Sequence, residues 1–210
     1  DLGSGGSGGG STRGGNGGGF IFINASKNII LDGMLKSDGT EIYGGLSNAG
    51  GGSGGSILIY AYYLSGSGNL SAVAGSSINV VSGGGRIAVY YNYSYLNFSR
   101  SSVEGSRNAV SGTLPLISSP GTFIAVNQIF NNASVFSWNW NSSVDLSSYS
   151  NVTFVSANTT IDNNDILRVD NNFNFDGSSY LFCRNNLTNY VTVSEIGSGN
   201  MSEFLSGFIT

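Results

Sequence analysis

The chain has 210 residues, of which 10% are charged and 40% are apolar, and its formal net charge is -4. The apolar residues occur in strand-length bursts, which predicts a packed core rather than a disordered chain. The acidic balance argues against nucleic-acid and anionic-lipid partners, and no apolar run is long enough to span a membrane.

The first segment, residues 1–19 (DLGSGGSGGGSTRGGNGGG), consists almost entirely of Gly and Ser. This composition is typical of a flexible linker. Glycine also has no Cβ, so its backbone can pack directly on another backbone, at the corner of a coil or between chains. We favour ordered packing and keep the linker as the alternative.

A short phrase then recurs: glycine, any residue, and an apolar strand. Copies begin at Gly19, Gly55, Gly85 and Gly121, with spacings of 36, 30 and 36 residues. A period of this size is typical of solenoids, in which each repeat buries its apolar face by stacking on its neighbours. We therefore predict an all-β fold, with a glycine-rich parallel β-solenoid of about four short rungs over residues 1–126.

Aligning the four copies predicts which side chains point into the coil. If one set points inward, alternation sends the following residues outward, and these are apolar too. An apolar run on both faces predicts that both faces are covered, by the C-terminal half or by a neighbouring subunit. The inward set is Ile21, Ile57, Ile87 and Phe123, and the outward set is Phe22, Leu58, Ala88 and Ile124.

The texture changes over residues 127–210, where glycine becomes scarce and Asn and Ser dominate. Short apolar segments recur every ten to fifteen residues between polar turns. This pattern predicts a C-terminal antiparallel, sandwich-like region. The alternative is a β-sandwich or jelly roll throughout the chain.

One feature, the number of Asn-x-Ser/Thr sequons, favours an extracellular location, and the single cysteine is compatible with it. Cys183 is the single cysteine, so no intrachain disulfide is possible. No signal peptide is visible, and we interpret the chain as a mature or trimmed product. Ten Asn-x-Ser/Thr sequons predict N-glycosylation. They are headed by Asn24, Asn69, Asn92, Asn97, Asn132, Asn141, Asn151, Asn158, Asn186 and Asn200.

The residue types argue against an enzyme. The chain has no histidine, which removes the commonest general base and the commonest zinc ligand. A polysaccharide-cleaving β-helix enzyme would need clustered carboxylates on one face. The candidates are Asp162, Asp165, Asp170 and Asp176 beside Arg168, and they fit turns and strand ends better. Catalysis is the weakest of our hypotheses.

Two binding sites are weaker possibilities. Asn172, Asn174 and Asp176 follow the first half of a calcium loop, but Cys183 stands where such a loop needs its bidentate Glu. We expect no cofactor, with calcium as a low-ranking possibility. Trp138 and Trp140 alternate along a predicted strand and are candidates for stacking on a glycan. Period-two aromatic residues more often belong to a core or an interface.

The segments GGGSGGSILIYAYYLSGSGNLSAVAG (50–75) and GGGRIAVYY (83–91) resemble the glycine-rich repeats of large prokaryotic cell-surface, adhesin-like β-solenoid proteins. ILRVDNNFNFDG (166–177) looks like a weaker downstream element of the same proteins. The composition is also similar to that of archaeal extracellular filament and surface-layer subunits. The resemblance implies a surface location and a structural or adhesive role, with no catalytic residues to carry over.

Together these observations predict a structural subunit of an extracellular assembly, most simply a filament or pilus-like fibre built by head-to-tail β-strand contacts between copies of the chain. Residues 204–209 or the glycine-rich N-terminus could be donated to a neighbour as an added strand. The alternative is an adhesive or glycan-binding module whose partners are surface glycans.

Overall fold

The computed structural model divides the chain into two compact units, Asp1–Phe123 and Ile124–Thr210. The structure describes residues 2–10, 12–42, 49–77, 80–106, 122–137, 144–161, 167–168, 172–175, 179–183 and 195–196. Apart from one short 3-10 helix, Phe98–Arg100, every regular element in these ranges is a strand. The predicted all-β class is therefore confirmed. The sequence pattern had put the boundary between Val126 and Asn127.

The first unit holds its strands in parallel register. β1 pairs with β3 and β3 pairs with β5, and the two shorter strands β2 and β4 pair in a second small sheet. The bounds are β1 (Phe20–Ile30), β2 (Met34–Lys36), β3 (Ser56–Ser65), β4 (Asn69–Ser71) and β5 (Arg86–Ser94), and β6 (Thr122–Asn127) begins in this unit.

The register matches the alignment of the glycine phrases. Ile57 lies between Ile21 and Ile87, and Ile59 lies between Ile23 and Val89. These two rows form the side-chain core, because alternation along each strand turns them to the same face. Fully burying one such side chain stabilises the fold by about 1.5–3 kcal/mol. Phe123 is buried against the ring of Phe98, with the ring centroids 5.6 Å apart.

The glycine-rich segments of the first unit follow a different rule. Backbone hydrogen bonds run from Gly3 to Gly18 and from Gly6 to Gly15, each N···O distance being 2.8 Å. Two further bonds run from Gly15 to Gly50 and from Gly18 to Ser53. In each case the partners advance by three residues, which is the turn of a polyproline II helix rather than the two-residue repeat of a strand. We call these stretches the glycine segments: residues 3–7, 14–18, 37–40 and 50–55.

Glycine is required in these segments because a side chain would overlap a neighbouring backbone, and not because of the backbone dihedral angles. A Cβ built on any of a large set of glycines would overlap the backbone of a neighbouring segment. The set contains pairs three residues apart, as the helical turn demands. Its members are Gly3 and Gly6, Gly14 and Gly17, Gly15 and Gly18, Gly51 and Gly54, and Gly52 and Gly55. The glycine-rich N-terminus is therefore an ordered, backbone-packed element.

The second unit is also built from short strands. β7, β9, β12 and β14 pair in that order, while β10 pairs with β13 and β8 pairs with β11. Their bounds are β7 (Asn132–Ser137), β8 (Val144–Asp145), β9 (Asn151–Phe154), β10 (Asn158–Ile161), β11 (Leu167–Arg168), β12 (Asn172–Phe175), β13 (Tyr180–Cys183) and β14 (Glu195–Ile196).

The prediction of an antiparallel, sandwich-like second region is wrong for these pairs among β7 to β14, since each of them is parallel. The described pairs also give no support to the sandwich or jelly-roll alternative, because those folds are antiparallel. The strands that pair begin 19, 21 and 23 residues apart, at Asn132, Asn151, Asn172 and Glu195. Among β7 to β14, consecutive strands, which suggested hairpins, belong to different sheets, whereas β6 and β7 are neighbours in one sheet. A parallel pair needs such a long connection, whereas a hairpin does not.

Candidate assembly interface

The first feature of the candidate site is the open edge of β1, which stands at the end of the strand order of its sheet. The Ser56 amide donates to the Gly19 carbonyl at 2.9 Å, which fixes the side of β1 that faces β3. Alternate residues of a parallel strand bond to the same neighbour, so the N–H and C=O groups of Phe20, Phe22 and Asn24 face away from β3. No described strand pairs with them. Such an edge is a template for an added strand.

The second feature is the way the core rows end at this edge. Ile57, Ile59 and Val89 are fully buried, whereas Ile21 and Ile23, at the β1 end of the same rows, are only half-buried. The rows lose their cover at β1 because, within the described part of the chain, no further strand continues them there. Half-buried isoleucines in register with a finished core are what another rung of the same kind would bury.

The outward face at β1 is also open. Phe20 and Phe22 are at least half exposed, and their rings are held parallel with centroids 6.4 Å apart. The Phe22 ring meets the edge of Tyr60 at 6.3 Å. We expected both faces of the sheet to be covered, and at these two phenylalanines the outward face lies exposed. The apolar surface is therefore continuous from the edge of β1 onto its outward face.

The open edge has a defined length. The register of β1 with β3 shifts between Ala25 and Asn28, and Lys27 is exposed at this irregularity. A bulge and a lysine are two of the devices by which proteins prevent unwanted pairing along an edge. The stretch that can accept a strand without meeting them is Phe20 to Asn24.

The N-terminal glycine hairpin was one of the two expected strand donors. Its legs, residues 3–7 and 14–18, are joined by a turn in which Gly10 has a φ of +57°, a value that favours glycine. The legs bond to each other and to residues 50–53. Donating this hairpin would break those bonds. The other expected donor, residues 204–209, lies outside the described residues.

The described sequons differ in their surroundings. Asn24 is exposed on β1, and Asn92 is half-buried on β5. Asn97 is exposed, and its Oδ1 accepts from the Ser99 amide at 2.9 Å, which caps the 3-10 helix. Asn69 has a buried Oδ1 without a hydrogen-bond partner. Asn158 begins β10, and Asn141, Asn186 and Asn200 lie outside the described residues.

The asparagines of two sequons, together with a third asparagine, form a ladder of side-chain hydrogen bonds that was not predicted from the sequence. The Asn151 Nδ2 donates to the Asn132 Oδ1, and the Asn172 Nδ2 donates to the Asn151 Oδ1, both at 2.8 Å. The three residues are aligned by the register of β7, β9 and β12. Their spacing of 19 and 21 residues is the signal that could have revealed it.

The other residues predicted to bind a metal or a glycan, or to act in catalysis, are placed as follows. Asn172 and Asn174 belong to the extended strand β12, and Asp176 lies outside the described residues, so the calcium possibility stays a prediction. The described part of the chain contains no group of three or more potential metal-binding His, Cys, Asp or Glu residues. Trp138 and Trp140 are also outside it, as are the carboxylates weighed for catalysis.

A tyrosine cluster lies where β3 and β5 end. The rings of Tyr63 and Tyr93 stack with centroids 4.8 Å apart, and Tyr62 meets both edge-on. Partial desolvation, followed by the nearby phenols of Tyr93, Tyr62 and Tyr95, raises the pKa of Tyr63. These rings therefore form one cluster on an exposed surface.

Within the described residues, no helix is long and apolar enough to cross a membrane. Comparison of the chain with protein-family models, with curated proteins and with solved structures gives no match.

Proposed function

We propose that the chain is a structural subunit of an extracellular assembly, in which the first unit is the end of a glycine-rich β-solenoid. The observation that carries the proposal is the pair of core rows that are fully buried at Ile57 and Ile59 but only half-buried at Ile21 and Ile23. Solenoids that end in solution carry a polar cap over such rows. Here the end is apolar, and no strand of the described residues pairs with its edge.

A second copy of the chain is the occupant that fits this end. The edge offers N–H and C=O groups for a parallel strand, and the open rows offer isoleucine contacts to an apolar rung. One copy therefore presents an acceptor end. A contact between two different surfaces gives a fibre when the rotation between successive copies does not close into a ring.

The experiment compares purified protein by size-exclusion chromatography and negative-stain electron microscopy. The wild-type chain should form uniform fibres. Ile21→Lys should leave monomers, because a charge at the end of a core row would have to be desolvated on assembly. As a monomer the variant should fold, since the long lysine stem can carry its charge to water from a half-buried position.

Ile129→Lys is the matched control, because Ile129 is exposed in a turn of the second unit. It should still form fibres. A wild-type chain that remains monomeric at high concentration would overturn the proposal, and so would fibres of unchanged yield from Ile21→Lys.

The tyrosine cluster favours a second candidate, an adhesive module that binds surface glycans. Tyr62, Tyr63 and Tyr93 join exposed ring area to hydroxyl groups, which suits a neutral sugar. A monomer that binds neutral polysaccharides, and loses that binding in Tyr63→Ala, would favour this candidate over the filament.

A further inference from the structure

The most exposed aromatic side chains share a position in the sequence. Among the described residues these are Tyr95 at 79%, Phe130 at 64% and Phe22 at 54% relative exposure. Each stands two residues before the asparagine of a sequon: Asn97, Asn132 and Asn24, respectively.

This placement exceeds what composition predicts. Two further sequons, at Asn92 and Asn151, also have an aromatic residue two positions earlier, so five of the ten sequons have one. Aromatic residues make up 12% of the chain, which would give about one in ten.

At the Phe22 site, which lies within β1, the two-residue offset has a structural meaning. In a strand, residues i and i+2 point to the same face, so Phe22 and Asn24 lie side by side on the outward face of β1. The Phe22 ring is held between Phe20 and Tyr60. It presents a fixed apolar surface beside the amide at which an N-linked sugar would begin.

The other two sites fix the chain near the aromatic residue by hydrogen bonds. The Tyr95 amide donates to the Leu64 carbonyl at 2.9 Å. The Phe130 amide donates to the Asn127 Oδ1 at 3.3 Å. Asn97 accepts from the Ser99 amide and Asn132 accepts from the Asn151 amide group, in both cases through Oδ1. Nδ2, the atom that carries a glycan, takes no part in these two hydrogen bonds.

We infer that Phe22, Tyr95 and Phe130 are platforms for N-linked glycans on Asn24, Asn97 and Asn132, each ring packing against the first sugar. The C–H groups of a sugar carry partial positive charge and fit the negative face of an aromatic ring. This arrangement explains why three large rings remain exposed on a surface that has few charges.

The inference rests on the extracellular part of the proposed function but not on fibre formation. Asn151 is not included, because its Nδ2 already donates to Asn132. The matched sequons are Asn69 and Asn158, which have Ser67 and Ser156 two positions earlier.

The test uses the full chain secreted from a host that performs N-glycosylation. Glycopeptide mass spectrometry measures occupancy at each site. Thermal unfolding is then measured for four proteins: wild type, Asn24→Gln, Phe22→Ala and the double variant. Loss of the glycan should lower the unfolding midpoint by about 2–4 °C when Phe22 is present. It should have little effect when residue 22 is alanine, and the same cycle applies to the Tyr95 and Phe130 pairs.

Ser67→Ala combined with Asn69→Gln is the control cycle and should show additive effects. Unoccupied Asn24, Asn97 and Asn132 would overturn the inference, as would additive effects at all three occupied sites. Neither result would bear on assembly, which is scored by microscopy of the same preparations. If the protein is monomeric and its glycan sites are coupled to the aromatic rings, the fibre proposal is refuted and the inference about the glycan platforms stands.

Discussion

The strands and the glycine segments of the first unit solve the same packing problem in two ways. In the strands, side chains of alternate residues fill the core, with Ile57 and Ile59 fully buried. In the glycine segments, backbones contact each other directly and bond at steps of three residues. The first arrangement needs large apolar residues at every second position, and the second needs a missing Cβ at defined positions.

The difference predicts how each region tolerates change. A side-chain core adapts partly to a lost or added methyl group, because rotamers can shift. A backbone core has no rotamers to shift, since the atoms in contact are carbonyl and amide groups with their own hydrogen bonds. Adding one methyl group to the glycine segments should therefore cost as much as removing several carbons from the strands.

Gly54→Ala should give the largest effect. Its Cβ would overlap the Ala72 carbonyl and lie 2.6 Å from the Gly85 nitrogen, both of which are backbone. We expect a loss of more than about 3 kcal/mol in the free energy of unfolding, the upper end of what overpacking costs in side-chain cores. Urea unfolding followed by circular dichroism measures it.

Gly5→Ala is the matched control for that substitution. The new Cβ would lie at an ordinary 3.6 Å from the Gly15 carbonyl. This variant should be neutral or slightly more stable, because alanine reduces the entropy of the unfolded chain. Equal losses in the two variants would refute the distinction between contacting and non-contacting glycines.

Ile59→Ala should come next. The side chain is fully buried in the middle of a row, so its truncation leaves a cavity and should cost about 2–5 kcal/mol. Ile30→Ala is the control on an exposed position of β1 and should change stability by less than about 0.5 kcal/mol. A loss below that of Ile30→Ala would mean that the row does not form the core.

The smallest effect concerns pH. Burial raises the pKa of Tyr91 above its ordinary value of 10.0, so folding favours the neutral phenol. This contribution is fully present below the pKa of the unfolded chain and is lost as the pH rises through the folded pKa. Stability measured from about pH 8 to about pH 11 should fall less steeply in Tyr91→Phe than in the wild type. Parallel curves would contradict the assignment.

The parts that could be predicted from sequence are those in which a local pattern determines the outcome. A glycine followed by alternating apolar residues set the start and the facing of β1, β3 and β5, so the register of Ile21, Ile57 and Ile87 agreed with the alignment. The all-β fold class followed from the same pattern.

The rest depended on contacts between distant residues. Nothing local distinguishes Gly5 from Gly6, yet only a Cβ on Gly6 would overlap Gly50. The parallel pairing of the second unit was not predicted because its strands are short and no glycine marks where each one begins. Its repeat of about twenty residues is visible chiefly in the spacing of Asn132, Asn151 and Asn172. The open edge at β1 depends on which strands are neighbours, and a strand order is a property of the whole fold.

The most direct test of the central claim is hydrogen exchange at the amides of Phe22 and Asn24, which face away from β3 at the open edge. Their exchange is compared between dilute monomer and assembled protein. Both amides should exchange quickly in the monomer and slowly after assembly, because an added strand accepts their hydrogen bonds. The amides of Ile21 and Ile23, which face β3, should be protected in both states. Fast exchange of Phe22 and Asn24 in assembled material would contradict the claim that β1 is the acceptor edge.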